Sequence, residues 1–185
     1  MAASRTTEKN TTASSYRGSA GATIETVVDH SALRANQLMI IALSLLAFVL
    51  DSAAVVAGTA LVMALGTLVG RPGFLPVYAR ILRPSGLVKP EILPDNPGPH
   101  RFAQGFGSAV LGAGAILLFS GVQLVGWSLV WLVIFLAAIN AFAGFCAGCF
   151  LYYQLGRLGL TGFSQPMPQG ARAGFKPSGK GEQHA

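Results

Sequence analysis

Two cysteines stand three positions apart, Cys146-Ala147-Gly148-Cys149, and the chain has no others. On one helix, positions i and i+3 share a face, so a helical reading puts both sulfurs on one side of a bundle. The small Ala147 and Gly148 leave room for the backbone to relax into a disulfide. Such a pair can pass electrons or sulfane sulfur: one thiolate attacks a disulfide or persulfide and the other resolves the mixed intermediate. Two further readings stay open. Free cysteine is among the most buried residue types, which makes plain packing sufficient. Two cysteines, one histidine and a water form a catalytic zinc pattern, and a dimer pooling two pairs would complete a four-cysteine site. Counting back from Arg157 at 1.5 Å per residue places the cysteines roughly 12 to 16 Å above that charge, deeper than His30 or His100. No metal and no other cofactor is therefore expected.

The second chemical cluster is Asp95-Asn96-Pro97-Gly98-Pro99-His100-Arg101-Phe102-Ala103-Gln104. Pro97 and Pro99 impose an extended approach, after which Arg101 and Gln104 start a helix on one face. Asp95 or Asn96 is read only as a turn cap, and loop punctuation with a snorkelling Arg101 is the plainer reading of the whole stretch. A basic group near a thiol favours the thiolate and attracts an anionic sulfur species, which singles out His100, Arg101 and Gln104. Arg34-Ala35-Asn36-Gln37 repeats the R-x-x-Q pattern. Asn140 is an amide in apolar surroundings, where an interhelical hydrogen bond is the commoner use. The candidate site is thus Cys146 and Cys149 as a dithiol facing the bundle interior, with His100, Arg101, Gln104, Asn36, Gln37 and Asn140 as substrate-binding residues. No nucleotide loop, carboxylate pair or nucleophile triad is visible.

The elements that must position these residues are apolar helices. Of 185 residues 52% are hydrophobic and only 11% charged, against about 25% charged in a soluble domain. Leu38 to Leu50 and Ala53 to Gly70 carry no charge and are parted by Asp51 and Ser52. A crossing needs roughly 20 residues, so this stretch predicts a two-helix hairpin. A second apolar block runs from Phe102 to Tyr153, broken near Gly121, with Trp127 and Trp131 suited to a membrane interface. The fold class expected is an all-α integral membrane protein with four transmembrane helices near 34–50, 53–70, 103–122 and 126–153, arranged as two hairpins. The last is long, and Gly144 and Gly148 suggest a kink or early exit. Residues 1–27 and 161–185 lack apolar periodicity and are expected to be disordered cytoplasmic tails. No cleavable signal is visible.

All thirteen Lys and Arg fall on one side of this arrangement. The positive-inside rule makes that side the cytoplasm and places both termini there. Such a distribution speaks for topology, not for nucleic acid. The two R-x-x-Q openings, each followed by a Gly-Phe pair (Gly73-Phe74, Gly144-Phe145) and then a Tyr and an Arg, suggest a weak tandem repeat. An axis along the membrane normal would bring Arg34 and Gln37 to the depth of Arg101 and Gln104.

At VDHSALRANQ (Val28 to Gln37), NPGPHRFAQ (Asn96 to Gln104) and NAFAGFCAGCFLYY (Asn140 to Tyr153) the chain resembles a bacterial membrane family catalogued as Domain of Unknown Function 4395, from about Val28 to Arg157. Members look like small four-span proteins often encoded beside thioredoxin-like and rhodanese-like sulfurtransferase proteins. The resemblance implies thiol or sulfur metabolism and a partner of that kind, with no activity to assign to particular residues. The function expected is an inner-membrane dithiol that exchanges electrons or sulfane sulfur with a cytoplasmic thiol protein, in contact with membrane lipid. The competing classes are a channel or carrier for a small sulfur species, and a structural subunit that binds other spans through Gly66 and Gly70 or Gly112 and Gly114.

Overall fold

A computed structural model describes residues 27–84, 89–160, 162, 163, 167 and 172–177. The N-terminal tail before 27, and the rest of the C-terminal tail, both expected to be disordered, lie outside the described residues. Six helices follow one another: α1 (His30–Val49), α2 (Ala53–Val69), α3 (Leu75–Val77), α4 (Pro97–Phe119), α5 (Gln123–Ala138) and α6 (Ala147–Arg157). π-helical turns extend α3 over Tyr78–Leu82 and α5 over Ile139–Ala143. Two short strands, β1 (Val27–Asp29) and β2 (Ile92–Pro94), pair antiparallel with Asp29 opposite Ile92. That ladder holds the start of α1 beside the approach to α4.

Local chemistry sets the helix limits. The Asp29 carboxylate accepts the N–H groups of Ser31 and Ala32 at 3.0 and 3.3 Å and so caps α1. Ser52 caps α2 through Val55 N–H. Pro97 and Pro99 sit inside the first turn of α4, where the expected reading kept them in an extended approach and began the helix near 103. Proline is welcome there because its missing N–H would find no helical partner anyway.

His30–Val49, Pro97–Phe119 and the continuous stretch Gln123–Ala143 are long and apolar enough to cross a membrane; Ala53–Val69 is apolar but shorter, at 17 residues. The expected fourth span over 126–153 is corrected. Its helix stops at Ala143, Gly144 takes a left-handed conformation with φ of 66°, and the chain restarts as α6. A positive φ is a common way to end a helix, and glycine adopts it without penalty.

α4 packs against α2, α5 and α6, while α1 packs against α2 and α5. Ile40, Val56, Leu111 and Val130, one from each of α1, α2, α4 and α5, meet in the buried core. The outward surface stays apolar, with Leu61, Ile116, Leu132 and Phe135 exposed. At the end carrying the Asp51 turn, Phe48 packs edge-on against Trp127 and Trp131.

Candidate functional site

The break at Gly144 decides how the cysteines are presented. Cys146 is extended (φ −98°, ψ 103°) and is the N-cap of α6, where its Sγ accepts the N–H of Cys149 at 3.2 Å. A sulfur thus does what a Ser or Asp oxygen does at other helix starts. Cys146 and Cys149 are joined as a disulfide with Cα atoms 5.2 Å apart. The pair does not lie on the face of one continuous helix, as i, i+3 spacing suggested. Its first member stands just outside a helix N-terminus, where the partial positive charge of the end favours a thiolate.

A second element supplies the partner. The prolines start α4 early enough to put His100 in its first turn, and His100 Nδ1 lies 3.4 Å from Cys149 Sγ. On the other side of the ring, Nε2 is 2.9 Å from Asp95 Oδ2. The second Asp95 oxygen accepts Asn96 N–H at 2.7 Å. His30, the first residue of α1, brings Nε2 to 3.2 Å from the same Oδ2, off-line for a hydrogen bond, and sets its ring edge-on to His100.

Burial of Asp95 by itself would raise its pKa. The hydrogen bond from His100, the proximity of His30 and the Asn96 N–H outweigh it and hold the carboxyl far below the usual carboxylate range. Asp95 is therefore an anion at neutral pH. Its bond to Nε2 selects the His100 tautomer with the proton on Nε2, which leaves Nδ1 free to take or return a proton at Cys149. The arrangement is a sulfur, an imidazole and a buried carboxylate in line, the triad that no local motif disclosed. Asp95 and His30 were absent from the expected site residues, because their roles depend on the β1–β2 ladder and on the proline turn.

The expected depth gap between cysteines and histidines does not exist. Ligand-capable atoms of His100, Cys146 and Cys149 all lie within 4.8 Å of one another, and so do those of His30, Asp95 and His100. Reduced, the first trio has the donor set of a two-cysteine, one-histidine metal site; as a disulfide it has no thiolate to offer.

Both sulfur residues are buried, Cys146 at 6% exposure and Cys149 at 4%. Much of the cover over Cys146 is a strap, residues 172–177, within the tail expected to be disordered. Gly174 O accepts Cys146 N–H at 2.7 Å and Gly144 O accepts Lys176 N–H at 3.1 Å. Phe175 bridges Phe145, and Lys176 Nζ meets Glu91 Oε1 at 2.5 Å. Gly174 has φ of 81°, and a Cβ there would come within 2.8 Å of Phe150 Cβ.

Beside the disulfide a cleft of about 950 Å³ opens between α1 and the end of α5. Three of the candidate residues, His100, Gln37 and Asn140, line it. Arg101 and Gln104 instead line a cavity of about 210 Å³ against the end of α2, which His100 also reaches. Arg101 Nε donates to Thr67 O at 2.6 Å, and Gln104 Nε2 to Met63 O at 2.9 Å. Asn36 lines neither cavity; it is buried and accepts Phe74 N–H at 3.0 Å.

No curated protein and no solved structure matches the chain. A family model does, over residues 28–157, a span holding His30, Asp95, His100 and both cysteines, and by that match the chain belongs to the family described as a domain of unknown function (DUF4395).

Proposed function

We propose that this chain is a membrane thiol–disulfide exchange protein with Cys146 and Cys149 as its working pair. The observation that carries the reading is the pair's setting: a C-x-x-C at a helix start, whose second sulfur meets a histidine oriented by a buried carboxylate. Starting from the disulfide, a partner thiol gives its proton to His100 Nδ1 and attacks Cys146 Sγ as the thiolate; the Cys146–Cys149 bond breaks, and Cys149 leaves as a thiolate that takes that proton back from the imidazolium. A second partner thiol then displaces Cys146, so the partner is oxidised and the pair reduced. The leaving group sets the direction of attack, because the sulfur beside His100 is the better stabilised thiolate. The partner class is a cytoplasmic thioredoxin-like or rhodanese-like thiol protein.

The topology that goes with this reading has four spans, α2 being the short one, and both termini in the cytoplasm of a bacterial inner membrane. Every Lys and Arg lies away from the Asp51 and Gly121 turns. Reporters fused at Ser52 and Gly121 should both read as external. A purely structural subunit is less well supported: Gly66 abuts Gly73 and Gln104, Gly70 faces Arg101 and Gly114 abuts Gly126, which leaves Gly112 as the one of the four with nothing within 4 Å.

The experiment is redox titration of the purified full chain in glutathione buffers, with free thiols counted by alkylation and mass spectrometry. A working pair gains and loses two thiols together, and Cys149→Ser accumulates a glutathione adduct on Cys146. A pair that keeps one state across the whole range of buffers removes the exchange reading.

A further inference from the structure

We propose that the cleft between α1 and the end of α5 is a binding site for a membrane quinone, which takes the electrons from the reduced Cys146–Cys149 pair. This rests on the exchange reading and names where its electrons go. The cleft meets both sulfurs at one end. From there it runs along α1 to Ala42, twelve residues past His30, or about 18 Å of helix axis. Leu38, Ala42 and Phe142 stand exposed along it, on the two stretches long and apolar enough to span a membrane. The slot therefore opens sideways onto hydrocarbon. A water-soluble ligand gains nothing from such a wall, whereas a ring with an isoprenoid tail reaches the site from the bilayer and leaves its tail there.

The polar groups fit the ring. Gln37 and Asn140 line the cleft as half-buried amides whose side chains make no hydrogen bond to other described residues. His30 stands in the same wall, with Nε2 3.2 Å from Asp95 Oδ2. Amide N–H groups are what a quinone's two carbonyl oxygens accept from. The volume lies at the upper end of the range for small-molecule sites, enough for a ring and the first part of a tail.

The reaction balances without a further reagent. Two S–H bonds break and one S–S bond forms. The quinone gains two electrons and two protons and leaves as the hydroquinone. The Cys149 proton passes to His100 Nδ1 on its way out.

The test uses the full chain in phospholipid nanodiscs, reduced, freed of reductant and kept anaerobic. A short-chain ubiquinone is added, with quinone absorbance and protein thiols followed together. The expected result is one quinone consumed per thiol pair, with none consumed by the Cys146→Ser, Cys149→Ser double variant. Ala42→Trp, which fills the slot, should slow the reaction about tenfold or more. A photoreactive azidoquinone on the unaltered chain gives a check that no substitution can confound, and its label should fall on the peptides holding Leu38 to Ala42 or Asn140 to Ala143. Label elsewhere, or an undiminished rate in a folded Ala42→Trp protein, overturns the site. If the pair exchanges with glutathione but leaves quinone untouched, with lipid alone in the slot, the quinone inference fails and the exchange reading stands. If neither reaction occurs, both fail.

Discussion

Two corners of the bundle begin with the same pattern, Arg-x-x-Gln at the start of a helix, and are filled in opposite ways. At the α4 corner, Arg101 and Gln104 reach across to the end of α2: Arg101 bonds Thr67 O and Leu68 O, and Gln104 bonds Met63 O and Arg71 O. The side chains close that corner down to a cavity of about 210 Å³. At the α1 corner, the facing element is the end of α5, and Arg34 and Gln37 make no bond to other described residues. There the cavity is about 950 Å³. At one corner the polar side chains bond carbonyls of α2 and of the turn that follows it. The other leaves Arg34 and Gln37 in the wall of a cleft, without a bond to other described residues, and it is the one that borders the disulfide.

The largest test falls on the open corner's anchor. Asp95→Ala removes the one carboxylate between two imidazoles and should destabilise the protein by about 3 kcal/mol, as losing one partner of a buried polar cluster does. The pH profile carries the same information. The folded pKa of Asp95 is depressed, so its contribution is fully present above the unfolded value of about 3.9 and is lost as pH falls toward the folded one. Thermal unfolding in detergent should be level from neutral pH to about 4 and decline below. Asp95→Asn should flatten that decline.

Next is the seam of the closed corner. A Cβ at Gly66 would lie 2.6 Å from Gly73 Cα and from Gln104 Nε2, so Gly66→Ala should cost about 2 kcal/mol through a forced separation of α2 from its neighbours. Gln104→Ala removes the bonds to Met63 O and Arg71 O and should cost about 1 kcal/mol in the same unfolding measurement. Gln37→Ala, the matching change at the open corner, should stay within about 0.5 kcal/mol while weakening quinone reduction. Equal losses for Gln37→Ala and Gln104→Ala would erase the contrast between the corners.

Apolar runs and their breaks were enough to find α1, α2, α4 and α5, though not α3 or the separate α6, because a chain without charge over such lengths has few alternatives in water or lipid. The cysteine pair was equally plain. What local pattern did not give is the carboxylate behind the imidazole. Asp95 looks like a turn cap until Pro97 and Pro99 are taken into the helix, and only then does His100 point at Cys149. The fate of the last apolar run was hidden for a related reason. Gly144 was a candidate kink, but a glycine announces freedom to turn and not the turn taken, and the restart at Ala147 is what brings the sulfurs level with His100. The repeated R-x-x-Q was visible as well; its two uses were not, since they depend on which helix end each corner faces.

The strap over Cys146 has a kinetic meaning. A segment tethered to the same chain competes at an effective concentration far above that of a freely diffusing protein. Because Gly174 O is bonded to the Cys146 backbone N–H, a protein that would bond the backbone at Cys146 must first win against a resident competitor. In the proposed exchange, its grip lowers the rate for every protein partner that comes from the strap's side by the same factor. Selection among partners is then left to what they offer after displacement, and anything that draws the tail aside speeds all of them alike.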